Sequence, residues 1–248
     1  MDLAIARRLL ATLPDDAVVA DVGGGASPFA RADYVIDALA FDASGTGSHG
    51  SIHKQLDIQP RFTRDTWIQV DVCARAAWPI KDKQFDYVVC SHLLEDIRDP
   101  IWVCSELQRI AKAGYIEVPS RVEEQSRGIE HPKYAGYYHH RWLISRDGDE
   151  LQFRHKPHNL HAINDAAIAW LAPGSRINPA HSILSFEWSD TFRATEVLEF
   201  SESRVIEELC SYAASARHLP ELTVRVPMSW KDRLKRNVFF WRLSRGQR

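Results

Sequence analysis

The chain has 248 residues, 45% of them hydrophobic and 26% charged. That is ordinary globular composition, enough for one to two domains and for a core that needs no disulfide or structural metal. Thirty-one basic residues stand against 33 acidic ones, a net charge of −2, which argues against a dedicated nucleic-acid binder with its basic excess. No run of 18 apolar residues supplies a spanning helix, and the opening stretch MDLAIARRLLATLPDD lacks a signal-peptide core and cleavage site. Cys73, Cys90, Cys104 and Cys210 lie in apolar surroundings without a CxxC pair. The expectation is a cytoplasmic protein with reduced core thiols.

Five short runs read as strands: AVVAD (17–21), DYVID (33–37), WIQVDV (67–72), FDYVVC (85–90) and GYIEVP (114–119). FDYVVC is apolar on both faces, as suits a sheet covered on both sides. Strands alternating with helical stretches predict a doubly wound α/β layer. The segment ASGTGSHGS (43–51) is a loop by composition. Asp99 and Pro100 are a start signal for a helix over 99–114, with apolar positions 101, 103, 107, 110 and 111 at helical spacing and Gly114 as the expected stop. Beyond Pro119, LQFRHK (151–156) and ILSFEW (183–188) predict strands, and AINDAAIAWLA (162–172) and RVIEELCSYAASA (204–216) predict helices. With no repeat and no low-complexity linker, the simplest reading is one domain over residues 1–228 with an elaborated second half.

The most informative stretch is VVADVGGGASPF, in which a strand ends at Asp21 and Gly23, Gly24 and Gly25 follow. Glycines there let backbone approach a ligand closely, at the carboxyl end of the first strand where doubly wound sheets bind ligands. The pattern is neither GxGxxG nor a Walker loop, which disfavours a nicotinamide oxidoreductase and a phosphate-loop enzyme. Asp37 ends the second strand, where two acceptor oxygens match the vicinal diol of a ribose; Asp42 is the alternative for that role. Asp71 can accept from an adenine amine while the Val72 amide donates to the ring.

With FDYVVCSHLLEDIRDP and GYIEVPS added, the set resembles the class I S-adenosylmethionine-dependent methyltransferases, and most of all the branch whose fourth-strand motif reads roughly SHxLEHxxDP. The resemblance covers about residues 15–120. It implies a Rossmann-like, mostly parallel seven-stranded sheet and S-adenosylmethionine bound across the carboxyl ends of the first strands. By position, Asp21 and Gly23 to Gly25 would surround its methionine part, Asp37 the ribose, and Asp71 and Val72 the adenine, with Cys90, Ser91 and His92 near the sulfonium. Where the family motif has an acid–histidine pair, this chain has Glu95-Asp96, and the interval from Asp21 to Asp37 leaves little room for a full first helix.

Methyl transfer needs the nucleophile aligned and water excluded, and a hydroxyl acceptor is helped by a base. His92, directly after the fourth strand, and the pair His139-His140 are the candidate bases. Asp96, one turn further along an expected helix, would orient a base or bind substrate. Six of the eleven histidines fall between residues 131 and 161. His158 and His161 are three apart, but Pro157 and Asn159 favour a loop and no cysteine or second HxxH completes a tetrahedral site. A divalent metal is therefore not favoured over hydrogen-bonded histidines lining a polar pocket. Glu117, on the fifth strand, is a candidate substrate contact. Arg121, Arg127 and Arg141 beside Tyr134, Tyr137, Tyr138 and Trp142 fit a cap for a polar or anionic molecule. The expected activity is methylation of a hydroxyl on a small polar molecule, with a saccharide as first guess. A non-catalytic nucleoside- or metal-binding protein on the same fold is the alternative.

Residues 229–248 carry seven basic residues and one acid, a local +6 that leaves −8 for the rest of the chain. Trp230, Leu234, Val238 and Trp241 share one helical face, the pattern of an amphipathic helix suited to a membrane surface.

Overall fold

The computed structural model describes residues 1–25, 27–43 and 56–225. Most of the glycine- and serine-rich loop over 43–51 and the whole basic segment 229–248 therefore lie outside the described residues. The chain divides into two compact units that alternate along the sequence. The first is Met1–Val118, Arg146–Phe153 and Ser185–Glu196; the second is Pro119–Ser145, Arg154–Leu184 and Val197–Arg248.

In the first unit, the five expected strands form as β1 (Val19–Val22), β2 (Tyr34–Asp37), β3 (Trp67–Gln69), β4 (Phe85–Ser91) and β5 (Ala111–Pro119). With β9 (Ile183–Ser189) they make one sheet of order β3-β2-β1-β4-β5-β9. The pairs β1/β2, β1/β4, β2/β3 and β4/β5 are all parallel. This is the expected α/β, Rossmann-like arrangement, but the sheet holds six strands rather than seven among the described residues. Every residue of β1 is buried, which is why its sequence reads as a continuous apolar run rather than an alternating one. The carboxyl ends of β1, β2 and β4 lie side by side, with Val22 opposite Ile36 and Cys90.

Helix α1 (Leu3–Thr12) is not among the elements expected from the sequence. Its signal is Asp2, whose side chain caps it by accepting from the amides of Ala4 at 2.8 Å and Ile5 at 3.3 Å. Ala6 and Leu9 are its buried stripe and pack with Val19, Phe29, Ala32, Val89 and Tyr115. Helix α2 (Pro100–Ile110) starts as expected, Asp99 accepting from Trp102 N at 3.2 Å. Its end differs from expectation. The chain passes from Ile110 directly into β5, so Gly114 is a strand residue opposite Val88 and not a helix stop. A Cβ at Gly114 would stand 2.7 Å from the Val88 carbonyl and 2.8 Å from the Trp188 ring; the glycine serves close approach. Residues 23–33 form turns and no helix among the described residues, in keeping with the short interval before Asp37. β10 (Arg193–Glu196) pairs parallel with β7 (Glu150–His155), and β6 (Trp142–Asp147) lies on the far side of β7.

In the second unit, α3 (Arg121–Glu124) and α4 (Pro179–Ser182) are single turns, and α5 (Glu202–Ala216) is the long helix expected near the carboxyl end. β8 (Ser175–Ile177) and β11 (Thr223–Arg225) form an antiparallel pair. The helix expected over 162–172 does not form. That segment is extended and turned, tied through Ile168 N to Gln125 O at 3.0 Å and through Arg127 N to Ala169 O at 2.8 Å. Its apolar residues still bury, Ile168 and Ala169 with Val122, Ile177 and Ala213. A short apolar run is satisfied by burial in either conformation, so its periodicity alone does not choose.

Replacing Gly114 by valine should destabilise the fold by about 1–3 kcal/mol through overpacking against the β4 backbone. Urea unfolding measures it; an unchanged midpoint would contradict the close β4–β5 packing described here.

Candidate active site

β1 ends in Asp21–Val22, and the chain turns through the glycines. Gly23 has φ +76, a backbone setting that disfavours side chains, and a Cβ on Gly24 would meet Pro28 Cα at 2.9 Å. The turn is held from β2. Asp37 Oδ2 accepts from Gly25 N at 2.8 Å and Oδ1 from Leu39 N at 2.8 Å. Asp42, the alternative to Asp37, faces outward in an exposed ion pair with Arg64, so Asp37 is the acid joined to the turn. A cavity of about 310 Å³ opens here, lined by Met1, Asp21, the three glycines, Ser27, Phe29, Ser91 and His92.

Asp21 is buried. Its Oδ2 accepts from Phe29 N at 2.6 Å, while Oδ1 has no hydrogen-bond partner among the described residues. Burial pushes its carboxyl up to about 6, against the Phe29 bond, which favours the charged form. A buried carboxylate oxygen left unpaired at a cavity wall is suited to a cationic donor from a ligand.

The second cluster stands at the ends of β4 and β5. Glu117, fully buried, receives four kinds of donor: Asp2 N at 3.0 and 3.1 Å, Ser91 Oγ at 3.1 Å, Tyr115 OH at 2.7 Å and His92 Nε2 at 3.0 Å. His92 sits just past β4 in a left-handed conformation, φ +55, with its amide bonded to Glu117 O at 2.8 Å and Nδ1 3.5 Å from buried Glu95. Such backbone settings in non-glycine residues gather at functional sites. Burial alone would raise the Glu117 carboxyl, but the bond from His92, the Met1 amino group 3.4 Å away and the bonds from Tyr115 and Asp2 outweigh it and hold it at about 2. Burial alone would lower His92; the bonds to Glu117 and Glu95 outweigh that and lift it to about 9.

This geometry corrects several sequence expectations. His92 lines the cavity, but at neutral pH it is an imidazolium tied to two carboxylates and has no lone pair with which to act as a base. Cys90 is fully buried and does not line the cavity, because alternation along β4 sends it to the other face from Ser91. Asp71 is exposed and caps its own turn, accepting from Cys73 N at 2.9 Å; neither it nor buried Val72 lines this cavity. β3 stops at Gln69, before Asp71. Asp96 lies in turns before α2 and not one turn along a helix. Glu117, expected to touch substrate, is sealed beneath His92 and organises the site instead.

The remaining candidates belong to the second unit. His140 is buried, with Nδ1 2.6 Å from Glu124, whose other oxygen receives Lys156 Nζ at 2.5 Å. His139 is exposed, 3.8 Å from Glu130. Arg121 is not a free grip for an anion: its guanidinium donates to Glu208 and Gln125 and stacks on Tyr212. Tyr138 and Arg141 are exposed and Trp142 is half-buried. His158 and His161 end a single 3-10 turn, and His161 Nδ1 accepts from Ala135 N at 3.1 Å. Sequence reasoning missed Asp2, Tyr115 and Glu95 as site residues. The helix cap at Asp2 was the available signal for the first; Tyr115 reads as an ordinary core residue, and Glu95 stands in the fourth-strand motif without a role assigned to it.

A parallel sheet with a glycine turn at the end of its first strand, an acid at the end of its second, and a cavity at their carboxyl ends defines a Rossmann-like α/β domain of the kind that binds a nucleoside-containing cofactor. Residues 3–155 match the sequence model of a methyltransferase-domain family, and the chain belongs to that family. S-adenosylmethionine is the cofactor of the family, and the unpaired Asp21 oxygen beside an open glycine cradle fits its ammonium-bearing end. Among solved structures, the chain is similar to an S-adenosylmethionine-dependent methyltransferase from Mesorhizobium loti, at 15% identity and TM-score 0.35, over 60% of this chain and 62% of that one. It is also similar to an arsenic(III) S-adenosylmethionine methyltransferase from Chlamydomonas reinhardtii, at 16% identity and TM-score 0.33, over 46% and 48% of the two chains. The chain spans about half the length of the solved structures it matches first. A comparison with curated proteins gives no match.

The Glu117–His92 pair makes stability pH-dependent. His92 is raised from 6.5 to about 9, so its contribution is complete below 6.5 and fades as pH climbs through 9. Glu117 is lowered from 4.5 to about 2, so its contribution is complete above 4.5 and fades as pH falls towards 2. Glu117→Gln should return the His92 titration, followed by NMR, from about 9 to 6.5 or below. It should also cost about 1–3 kcal/mol through unsatisfied buried groups. A His92 titration that stays near 9 would overturn the pairing.

Proposed function

We propose that the chain is an S-adenosylmethionine-dependent methyltransferase acting on a small polar acceptor, through a hydroxyl or amine atom that enters the cavity uncharged. The observation that supports this is the sign of the charge around the cavity. Asp21 lines the cavity beside the His92 imidazolium and the Met1 amino group, and the acids Asp37, Glu95 and Glu117 stand behind that wall, against Gly25, His92 and Met1. The unpaired Asp21 Oδ1 attracts a cationic donor of the cofactor, and the acids, which outnumber the two cations, disfavour a carboxylate or phosphate oxygen as the accepting atom. The saccharide hydroxyl expected from the sequence falls within this class. An amine acceptor is the second reading, favoured by the same excess of acids.

S-adenosylmethionine supplies a methyl carbon activated by positively charged sulfur. The residues of this chain do the rest. Asp21 Oδ1 is the acceptor for a cationic donor, the glycines admit the ligand to the backbone, and Asp37 fixes the turn at Gly25. Glu117 and Glu95 hold His92 against the cavity, where it shapes the wall without taking a proton. Catalysis on this reading rests on alignment and exclusion of water.

Calorimetric titration with S-adenosylmethionine should show binding that weakens as pH falls through about 6, where Asp21 takes up a proton and loses its charge. Asp21→Asn should weaken it at neutral pH by about tenfold or more, the loss of a charge-assisted bond. Mass spectrometry over a panel of saccharides, amines, carboxylic acids and phosphates should find methyl gain on hydroxyl or amine atoms. Gain confined to carboxylate or phosphate oxygens would refute the acceptor class, and binding without turnover on any acceptor would favour a non-catalytic binding protein.

A further inference from the structure

The three arginines that the sequence places near the histidine-rich stretch have different fates. Arg141 is exposed, and Arg121 is engaged by Glu208 and Gln125. Arg127 is 7% exposed, and its Nε and Nη2 are both buried without a hydrogen-bond partner among the described residues. These two nitrogens share one edge of the planar guanidinium, so their N–H bonds point the same way and fit two oxygens of one anion. The chain shows elsewhere what that edge takes: in Arg109, Nε and Nη2 donate to the two oxygens of Glu106 at 2.8 and 2.7 Å. At Arg127 no carboxylate of the described residues meets that edge.

The surroundings favour an anion. Arg127 lies in an extended segment bridged to Ala135 on one side and Trp170 on the other. The Trp170 ring, 60% exposed, covers the guanidinium face at 4.3 Å and leaves the edge for an in-plane partner. Lys156 is a cation in the same surroundings, and the His161 imidazole is held below its ordinary value by burial and then by Lys156, Arg127 and His158. The acid that acts on His161 is Glu124, and its carboxylate already receives Lys156 and His140. A buried guanidinium edge with no acceptor is costly to fold, and costly features of this kind are retained where function uses them.

We propose that the Nε/Nη2 edge of Arg127 is a binding site for an oxyanion, the carboxylate or phosphate group of a small-molecule ligand, held bidentately with Trp170 stacked on the guanidinium face. It lies in the second unit, and neither Arg127 nor Trp170 lines the cavity at the glycine turn. Because the edge is buried, an entering anion displaces the side chains over it and changes the environment of Trp170.

The test is titration of the full chain with inorganic phosphate and, separately, with acetate, against sodium chloride of matched ionic strength. Binding is followed by calorimetry and by tryptophan fluorescence, with Trp170→Phe assigning the optical signal. Saturable binding of phosphate, acetate or both is expected, and the stronger of the two identifies the source of the oxyanion. Arg127→Met should abolish binding. Arg127→Lys keeps the charge but not the fork, and should weaken binding by about tenfold or more; it serves if the methionine variant does not fold. Failure of the wild-type chain to bind either anion, or binding that Arg127→Lys leaves unchanged, overturns the proposal.

Discussion

A carboxylate buried at the end of β5 has to be satisfied, and much of the first unit is arranged to do so. Glu117 is inaccessible to solvent, and an ion there is tolerable only with several donors around it. Those donors come from far apart in sequence: Asp2 ahead of α1, Ser91 and His92 at the end of β4, and Tyr115 on β5 itself. One charged group thereby fixes the amino-terminal helix, the ends of two central strands and the histidine at the cavity wall. Glu95, from the turn after β4, closes the arrangement on the other ring nitrogen. The same pairing that satisfies Glu117 removes His92 from proton transfer, which moves the chemical argument from a base to charge and alignment.

The two units use charge in opposite senses. In the first, acids stand around the cavity, and the buried Asp21 Oδ1 and Glu95 Oε2 have no hydrogen-bond partner among the described residues. In the second, a buried guanidinium edge at Arg127 has no hydrogen-bond partner among the described residues. Buried polar atoms are paired almost everywhere in folded proteins, and several of the chain's buried charges follow the rule, Glu124 with Lys156 and His140, Glu106 with Arg109. The exceptions therefore carry information that the pairs do not. The near-neutral total of −2 describes neither unit.

The strands were legible because a parallel strand buried on both faces writes itself as a β-branched or aromatic run, and β1, β2, β4 and β5 each do. The start of α2 was legible because Asp99 and Pro100 act locally. Its end was not: Gly114 signals a stop within a window of neighbours, whereas its actual reason is the Val88 carbonyl across the sheet. The segment 162–172 has enough alanine to read as helix, yet hydrogen bonds to Gln125 and Arg127 make it extended. Local propensity is worth tenths of a kcal/mol per residue and yields to tertiary partners.

By itself the sequence determined the α/β class, the glycine turn after β1, the acid that follows it and the place of the cavity at the strand ends. These depend on residue type at fixed spacing, and short-range geometry reads that directly. Only the tertiary structure decided what the charged side chains do: that Glu117 is sealed under His92, that Arg121 is engaged while Arg127 is not, and that Asp37 rather than Asp42 meets the glycine turn. A side chain's protonation and availability depend on partners brought from distant positions, and no pattern within one stretch of chain encodes which partners arrive.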